Sequence, residues 1–348
     1  MARLRVGLSL NTNTGAYDEA VSTPTSNREF IAGLVSQAQQ ADAFGFDGIF
    51  VAERHSRAEC RWPAPLQLLT LLAANTTRVD LVTHVLLLPL HNPVDIAEQA
   101  ALLDIYSGGR LKLGIGMGFN EQYFNTFGVP IKQRLSRFEE GIAVLRHAWT
   151  GEPFDFHGKR YDLSGAVVLP QPETPGGPPL WIGGQSVVSV RRAAAVGDGW
   201  VVAWPLGDEE WKELTDEYRQ GCEDAGKKPE VCVSRHCWVG ESRAEVEKWF
   251  VPMWLEEMKY YWKKGQLKHP DFQSDGDFTV EKARKHIVVG SPEDCIESLE
   301  EIAASGIDYV KLSLRLPLGP SMAEVDDCVV RLGESVLPAL QNTAVAGL

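Results

Sequence analysis

Eight short apolar runs recur along this 348-residue chain, most of them separated by longer stretches of helical spacing. The runs cover 5–10, 48–52, 80–88, 111–116, 180–182, 200–203, 231–239 and 309–314. Helical periodicity marks 28–44, 93–105, 137–149, 187–196, 209–225 and 291–304. Apolar runs of strand length alternating with helices favour βαβ units and a parallel sheet buried on both faces. Gly45 and Gly306 each stand between a helix and the next strand, where a helix C-cap belongs. Eight such units predict a TIM (β/α)8 barrel; a doubly wound sheet is the competing arrangement. No Gly-x-Gly-x-x-Gly opens directly into a helix, which counts against the doubly wound form.

The chain reads as one barrel domain over 1–348 with two long insertions. The first, about 151–179, precedes strand 5 and is rich in proline and glycine. The second, about 249–285, lies between strands 7 and 8 and carries Trp249, Trp254, Tyr260, Tyr261 and Trp262. Long connections at a barrel's carboxyl face commonly form lids. Completion of the core or a subunit contact is the equal alternative for these aromatics. A formal net charge of -13 opposes binding to nucleic acid or an anionic membrane. No apolar run reaches the roughly 18–20 residues that span a bilayer. The start of the chain enters a strand pattern at once, without a signal-peptide core. The six cysteines form no Cys-x-x-Cys pair and do not cluster with histidines, so no metal is expected and a cytoplasmic setting is.

Several strand ends carry candidate chemistry. Gly114, Gly116 and Gly118 strip the end of the fourth strand, which would let a flat ligand lie close to the backbone. Gly183-Gly184-Gln185-Ser186 opens a helix and makes a candidate anion pocket, with plain N-capping by Ser186 as the alternative. Glu53-Arg54-His55 closes the second strand, where two opposite charges beside an imidazole would set its protonation for acid–base work. Bracing of the barrel by a Glu53 ion pair is the structural alternative. His84, inside an apolar strand, needs a polar partner, from the core or from a bound ring. Asn120 would contact a ligand or close a turn. Arg134 and Arg137 would reach a phosphate or pair with Glu139 or Glu140.

With these residues in view, the chain resembles the bacterial-luciferase-like flavin-dependent monooxygenases. The carrying pieces, in order, begin with Ala52-Glu53-Arg54-His55, Leu88-Pro89, Asn92-Pro93-Val94 and Leu103-Asp104-Ile105-Tyr106-Ser107-Gly108-Gly109-Arg110. They continue with Gly114-Ile115-Gly116-Met117-Gly118, Phe127-Gly128-Val129-Pro130, Trp181-Ile182-Gly183-Gly184-Gln185-Ser186, Gly197-Asp198-Gly199-Trp200 and Val289-Gly290-Ser291-Pro292-Glu293. The resemblance implies a barrel enzyme, usually a homodimer, that uses reduced FMN from a separate flavin reductase and O2 to oxygenate a small organic substrate. It implies phosphate contacts from Gln185, Ser186 and Ser189, with Gly183 and Gly184 beside them, and Arg134 as the family's arginine in the fourth βα region. His84 and Val85 match a non-proline cis peptide under the flavin ring, and Asn120 a further cofactor contact. His55 then stands as proton donor or acceptor, with Glu53 and Arg54 setting its charge. Met117 stands where luciferase itself has a phosphate-binding arginine, which argues against FMN held in its manner, and Gly116 and Arg54 replace its cysteine and histidine, which argues against light emission. Relatives that use a deazaflavin coenzyme share the barrel but more often show Asp-His at the second strand, so FMN is the expectation and the deazaflavin the alternative. A non-catalytic flavin-binding protein is the reading from another class.

Overall fold

In the computed structural model, residues 3–13, 23–265, 267–316 and 319–345 are described; the ends of the expected 1–348 unit lie outside them. The strands are β1 (Arg5–Ser9), β2 (Gly48–Val51), β3 (Asp80–Thr83), β4 (Leu111–Ile115), β5 (Phe154–His157), β6 (Asp162–Ala166), β7 (Leu180–Gly183), β8 (Gly199–Val202), β9 (Val231–Val239), β10 (Ile287–Gly290) and β11 (Tyr309–Ser313). Eight close on themselves in the order β1-β2-β3-β4-β7-β8-β9-β11, every pair parallel. With helices between successive strands this is the predicted TIM barrel.

Three local readings need correction. The run over 80–88 is only half strand: β3 ends at Thr83, the His84–Val85 peptide is cis, and a short 3-10 turn follows at Leu88–Leu90. An unbroken apolar run carries no mark of a bend. Within the first insertion, β5 and β6 form an antiparallel hairpin. The aromatic-rich second insertion begins earlier than expected, as the helix Arg243–Lys263, with Val246, Phe250, Trp254 and Met258 buried on one face. It then adds β10, a strand absent from the eight runs, which pairs with β9 over His236–Val239. Four residues inside a long polar insertion were too short a signal.

The strands' inward positions fill the lower barrel. Phe50, Val82, Trp181, Val201, Cys232 and Tyr309 form one fully buried cluster. Phe50 meets Tyr309 edge-on at 5.3 Å and Trp181 meets it at 5.5 Å, geometry that aromatic quadrupoles favour. Below, Arg110 donates to Ser107 O, Val79 O, Ala73 O and Thr76 O, tying helix ends to strand starts.

Gly114 is dictated by strand packing. A Cβ there would sit 2.0 Å from the Thr83 carbonyl oxygen, a backbone atom of the paired strand that cannot rotate away. Gly114→Ala should therefore lower unfolding free energy by about 1–3 kcal/mol, read by urea denaturation; an unchanged midpoint would contradict this account.

Candidate active site

Above the aromatic plug, the carboxyl ends of the strands surround a cavity of ≈ 420 Å³, within the ~300–1,000 Å³ of small-ligand sites. One wall is β3, β4 and β7. The bare end of β4 lines the cavity at Gly116, Met117 and Gly118, and at Gly116 a Cβ would also meet Val85 Cγ2 at 2.6 Å. Val85 occupies that space and presents its own surface to the cavity. Gly184 is likewise required by packing, since a Cβ there would lie 2.4 Å from Ser189 Cβ. Gly183 differs. A Cβ there meets nothing of the protein closer than 3.4 Å, so only the room in the cavity asks for its bareness.

Glu53 is buried at the end of β2 and lines the cavity. Its Oε1 accepts from His55 Nε2 at 2.5 Å and from His91 Nε2 at 2.7 Å, and its Oε2 from the Leu87 amide at 2.6 Å. Burial alone would raise its pKa. The His55 and His91 hydrogen bonds, the charge of His91 and the Leu87 amide outweigh burial and lower it to about 2. A carboxylate can only accept, so both imidazoles present an Nε2 proton to it.

His55 is not a cavity-lining residue among those described. It lies behind Glu53, its ring 4.5 Å from Phe127 and 5.8 Å from Tyr123. Glu53 therefore faces the cavity, and His55 reaches it only through the Glu53 carboxylate. Arg54 does line the cavity. His91, which falls between two motif fragments, completes the cluster and was missed. Glu53, His55 and His91 offer ligand atoms within 4.8 Å of one another, as do His269, Asp271 and His286, although no metal was expected.

His84 finds its polar partner in Ser234, 3.2 Å from Nε2. Burial, then the positive charges of Lys311 and Arg54, push its pKa well below the ordinary histidine value, so the ring is neutral. Asn120 lines the cavity, and its Oδ1 makes the turn weighed for it, accepting from the Gln122 amide at 3.0 Å as N-cap of Glu121–Thr126.

Gly183, Gly184 and Gln185 line the cavity, but Ser186, Ser189 and Arg134 are not among its lining residues. Ser186 and Ser189 form a reciprocal capping box at the start of Val187–Val196. Gln185 clasps the Trp204 backbone in both directions, donating to its carbonyl at 3.1 Å and accepting from its amide at 3.2 Å. Arg134 Nη1 donates to Ile131 O at 3.4 Å. Arg137 pairs with neither expected glutamate; its Nε donates to Pro89 O at 2.7 Å. Side chains that the sequence did not flag complete the chamber: Ser234, His236, His286, Lys311 and Arg315. Of these, Lys311 was visible only as a charge inside an apolar run.

A flat, anionic cofactor fits this opening. Gly183 and Gly184 bring bare backbone to the cavity wall beside Val85, and the helix Val187–Val196 starts three residues beyond Gly184.

The sequence pattern of the luciferase-like monooxygenases matches residues 7–309. The chain is 25% identical to the oxygenase component of a flavin-dependent trigonelline monooxygenase from Acinetobacter baylyi, over 94% of each chain. It is 27% identical to an F420-dependent glucose-6-phosphate dehydrogenase from Mycolicibacterium fortuitum, over 80% of this chain and 86% of that one. In three dimensions it superposes on the monooxygenase RslO1 from Streptomyces bottropensis with a TM-score of 0.82 at 23% identity, covering 97% and 99% of the two chains. The chain belongs to the luciferase-like monooxygenase family of oxidoreductases.

Proposed function

We propose that the protein is a single-domain monooxygenase that uses reduced FMN and O2 to oxygenate a small organic substrate, with its flavin delivered by a separate reductase. The observation that carries this reading is the ≈ 420 Å³ cavity above the aromatic plug, one wall of which is bare backbone at Gly116, Gly118, Gly183 and Gly184 around Val85. The Acinetobacter relative, named as an oxygenase component and aligned end to end, supports the two-component arrangement. The deazaflavin alternative rests on the F420-dependent relative; Glu53-Arg54-His55, in place of Asp-His, favours FMN. Exposed Leu102 and Tyr106, one turn apart on the helix Pro93–Ser107, suit a homodimer contact.

Bound reduced FMN would supply the two electrons that let one atom of O2 enter substrate while the other leaves as water. Val85, Gly183, Gly184 and Asn120 would hold its ring and ribityl side. The helix start at Ser186 and Ser189 would hold the phosphate, with Gln185 bracing the rim and Arg134 supplied from the preceding barrel unit. His84, neutral and bonded to Ser234, adds no charge beneath the ring. Glu53 stays ionised at neutral pH and accepts protons only through its histidine partners, so His55 and His91 form the route by which a proton reaches or leaves that wall. Trp254, Met258 and Tyr261 roof the chamber and keep water out.

Titration of the apo-protein with FMN, reduced FMN and F420, followed by fluorescence, should give a Kd below ~10 μM for reduced FMN and much weaker binding for F420. The reverse preference would move the protein to hydride transfer. Gly183→Val should weaken flavin binding by about tenfold or more while leaving the thermal midpoint nearly unchanged; equal flavin affinity would remove Gly183 from the site.

Glu53→Gln sets an amide donor against two imidazole N–H groups, and should cost about 1–3 kcal/mol of stability at pH 7. The folded-state pKa lies below the unfolded carboxyl value, so this stabilisation is present above ~4.5 and is lost as pH falls toward about 2. The deficit of the variant relative to the parent should shrink across that window in urea titrations. His55→Ala should keep flavin binding and lower product formed per reduced flavin; an unchanged yield would exclude the relay.

A further inference from the structure

The wall opposite the glycines carries an excess of unpaired positive charge. In the closed order β1-β2-β3-β4-β7-β8-β9-β11, strands β11 and β1 stand four places from β4 and β7, directly across the cavity. Lys311 lies on β11 and Arg315 just beyond it, while Arg54 follows β2; all three line the cavity. Other charges around the chamber are matched. Arg57 pairs with Glu59, Glu53 holds two histidines, and Glu257 lies 3.4 Å from His236. Among the described residues, none of Arg54, Lys311 and Arg315 forms an ion pair within 4 Å; the Glu257 carboxylate acts on Lys311 from farther off, one negative charge against three positive ones. The Arg315 guanidinium rests on Met322 Sδ at 2.8 Å and over the Phe30 ring. Burial lowers the Lys311 ammonium to about 8, and the Arg54 charge adds to the effect.

Cations withdrawn from water without a counter-ion cost stability that only a bound anion returns. The chain as a whole carries a formal charge of -13, so this pocket runs against the sign of the molecule around it. Its flanks are apolar: Tyr123, Trp254 and Tyr261 line the same chamber. We propose that the cationic wall receives the anionic end of the substrate, a carboxylate carried on an aromatic or similarly apolar body, with Lys311 at its base and Arg54 and Arg315 beside it. This rests on the monooxygenase reading, which places the flavin on the glycine wall and leaves the opposite wall to the co-substrate.

Calorimetric titration of the FMN-loaded protein with benzoate, phenylacetate and hexanoate, each against its amide, tests the assignment. At least one acid should bind saturably and about tenfold or more tighter than its amide. That preference should vanish in Lys311→Met, survive in Lys311→Arg and weaken in Arg315→Met, while FMN affinity changes by less than about threefold. Thermal melting establishes that each variant is folded, and Arg315→Met carries the test if Lys311→Met is not. Acids and amides of equal affinity, or no acid binding, overturn the proposal. So does Lys311→Met that weakens FMN while sparing the acids, which would give the ammonium to the cofactor. Wild-type protein that binds acids without binding any flavin would instead count against the monooxygenase reading and leave the cationic wall standing.

Discussion

Inside the barrel, Phe50 and Trp181 each meet Tyr309 edge to face at 5.3 and 5.5 Å and lie tilted to one another at 6.4 Å, and with Val82, Val201 and Cys232 they fill the lower interior. Each of these side chains comes from a different strand, so the plug also pins the register of the closed sheet. Burial of one such aromatic contributes roughly 1.5–3 kcal/mol, and the cluster commits every open space to the carboxyl ends. The cavity therefore inherits its position from packing that has nothing to do with chemistry.

The site above the plug depends on backbone more than on side chains. Val85 lies across the end of β4, where Gly116 leaves it room, while Gly114 admits the Thr83 carbonyl of the paired strand. The indole of Trp200 holds the Gly184 carbonyl at 2.7 Å, and Gln185 locks the neighbouring loop to Trp204. Glycine and glutamine thus shape the rim by joining two loops, and the one position left with slack is Gly183.

The sequence carried the barrel plainly, because eight apolar runs correspond to the eight closing strands. It carried the second-strand triplet and the glycine pair as well, since residues of those types are conspicuous where they stand. It did not show which of the triplet faces the cavity. Successive residues past the end of β2 point in different directions, and whether Glu53 or His55 faces inward depends on His91 and the Leu87 amide, brought in from another unit. Ser234, His236 and Arg315 were invisible for the same reason, and Lys311 stood out only as a charge: each gains meaning only when the strands opposite are in place. Motif fragments such as Asp104 and Arg110 turn out to hold the fold, with Asp104 accepting from the Thr174 amide at 2.7 Å, well away from the cavity.

Strand β9 is the longest in the sheet at nine residues, and it serves two structures. Its first half completes the ring against β8 and β11, while its second half carries β10 and the roofing helix. His236 sits at the changeover, opposite both Ser313 and Ile287, and its Nδ1 takes the Trp254 indole proton at 3.0 Å. Descent with modification can therefore rewrite residues 240–286 wholesale, exchanging one ceiling for another, without disturbing a single pair that shuts the ring.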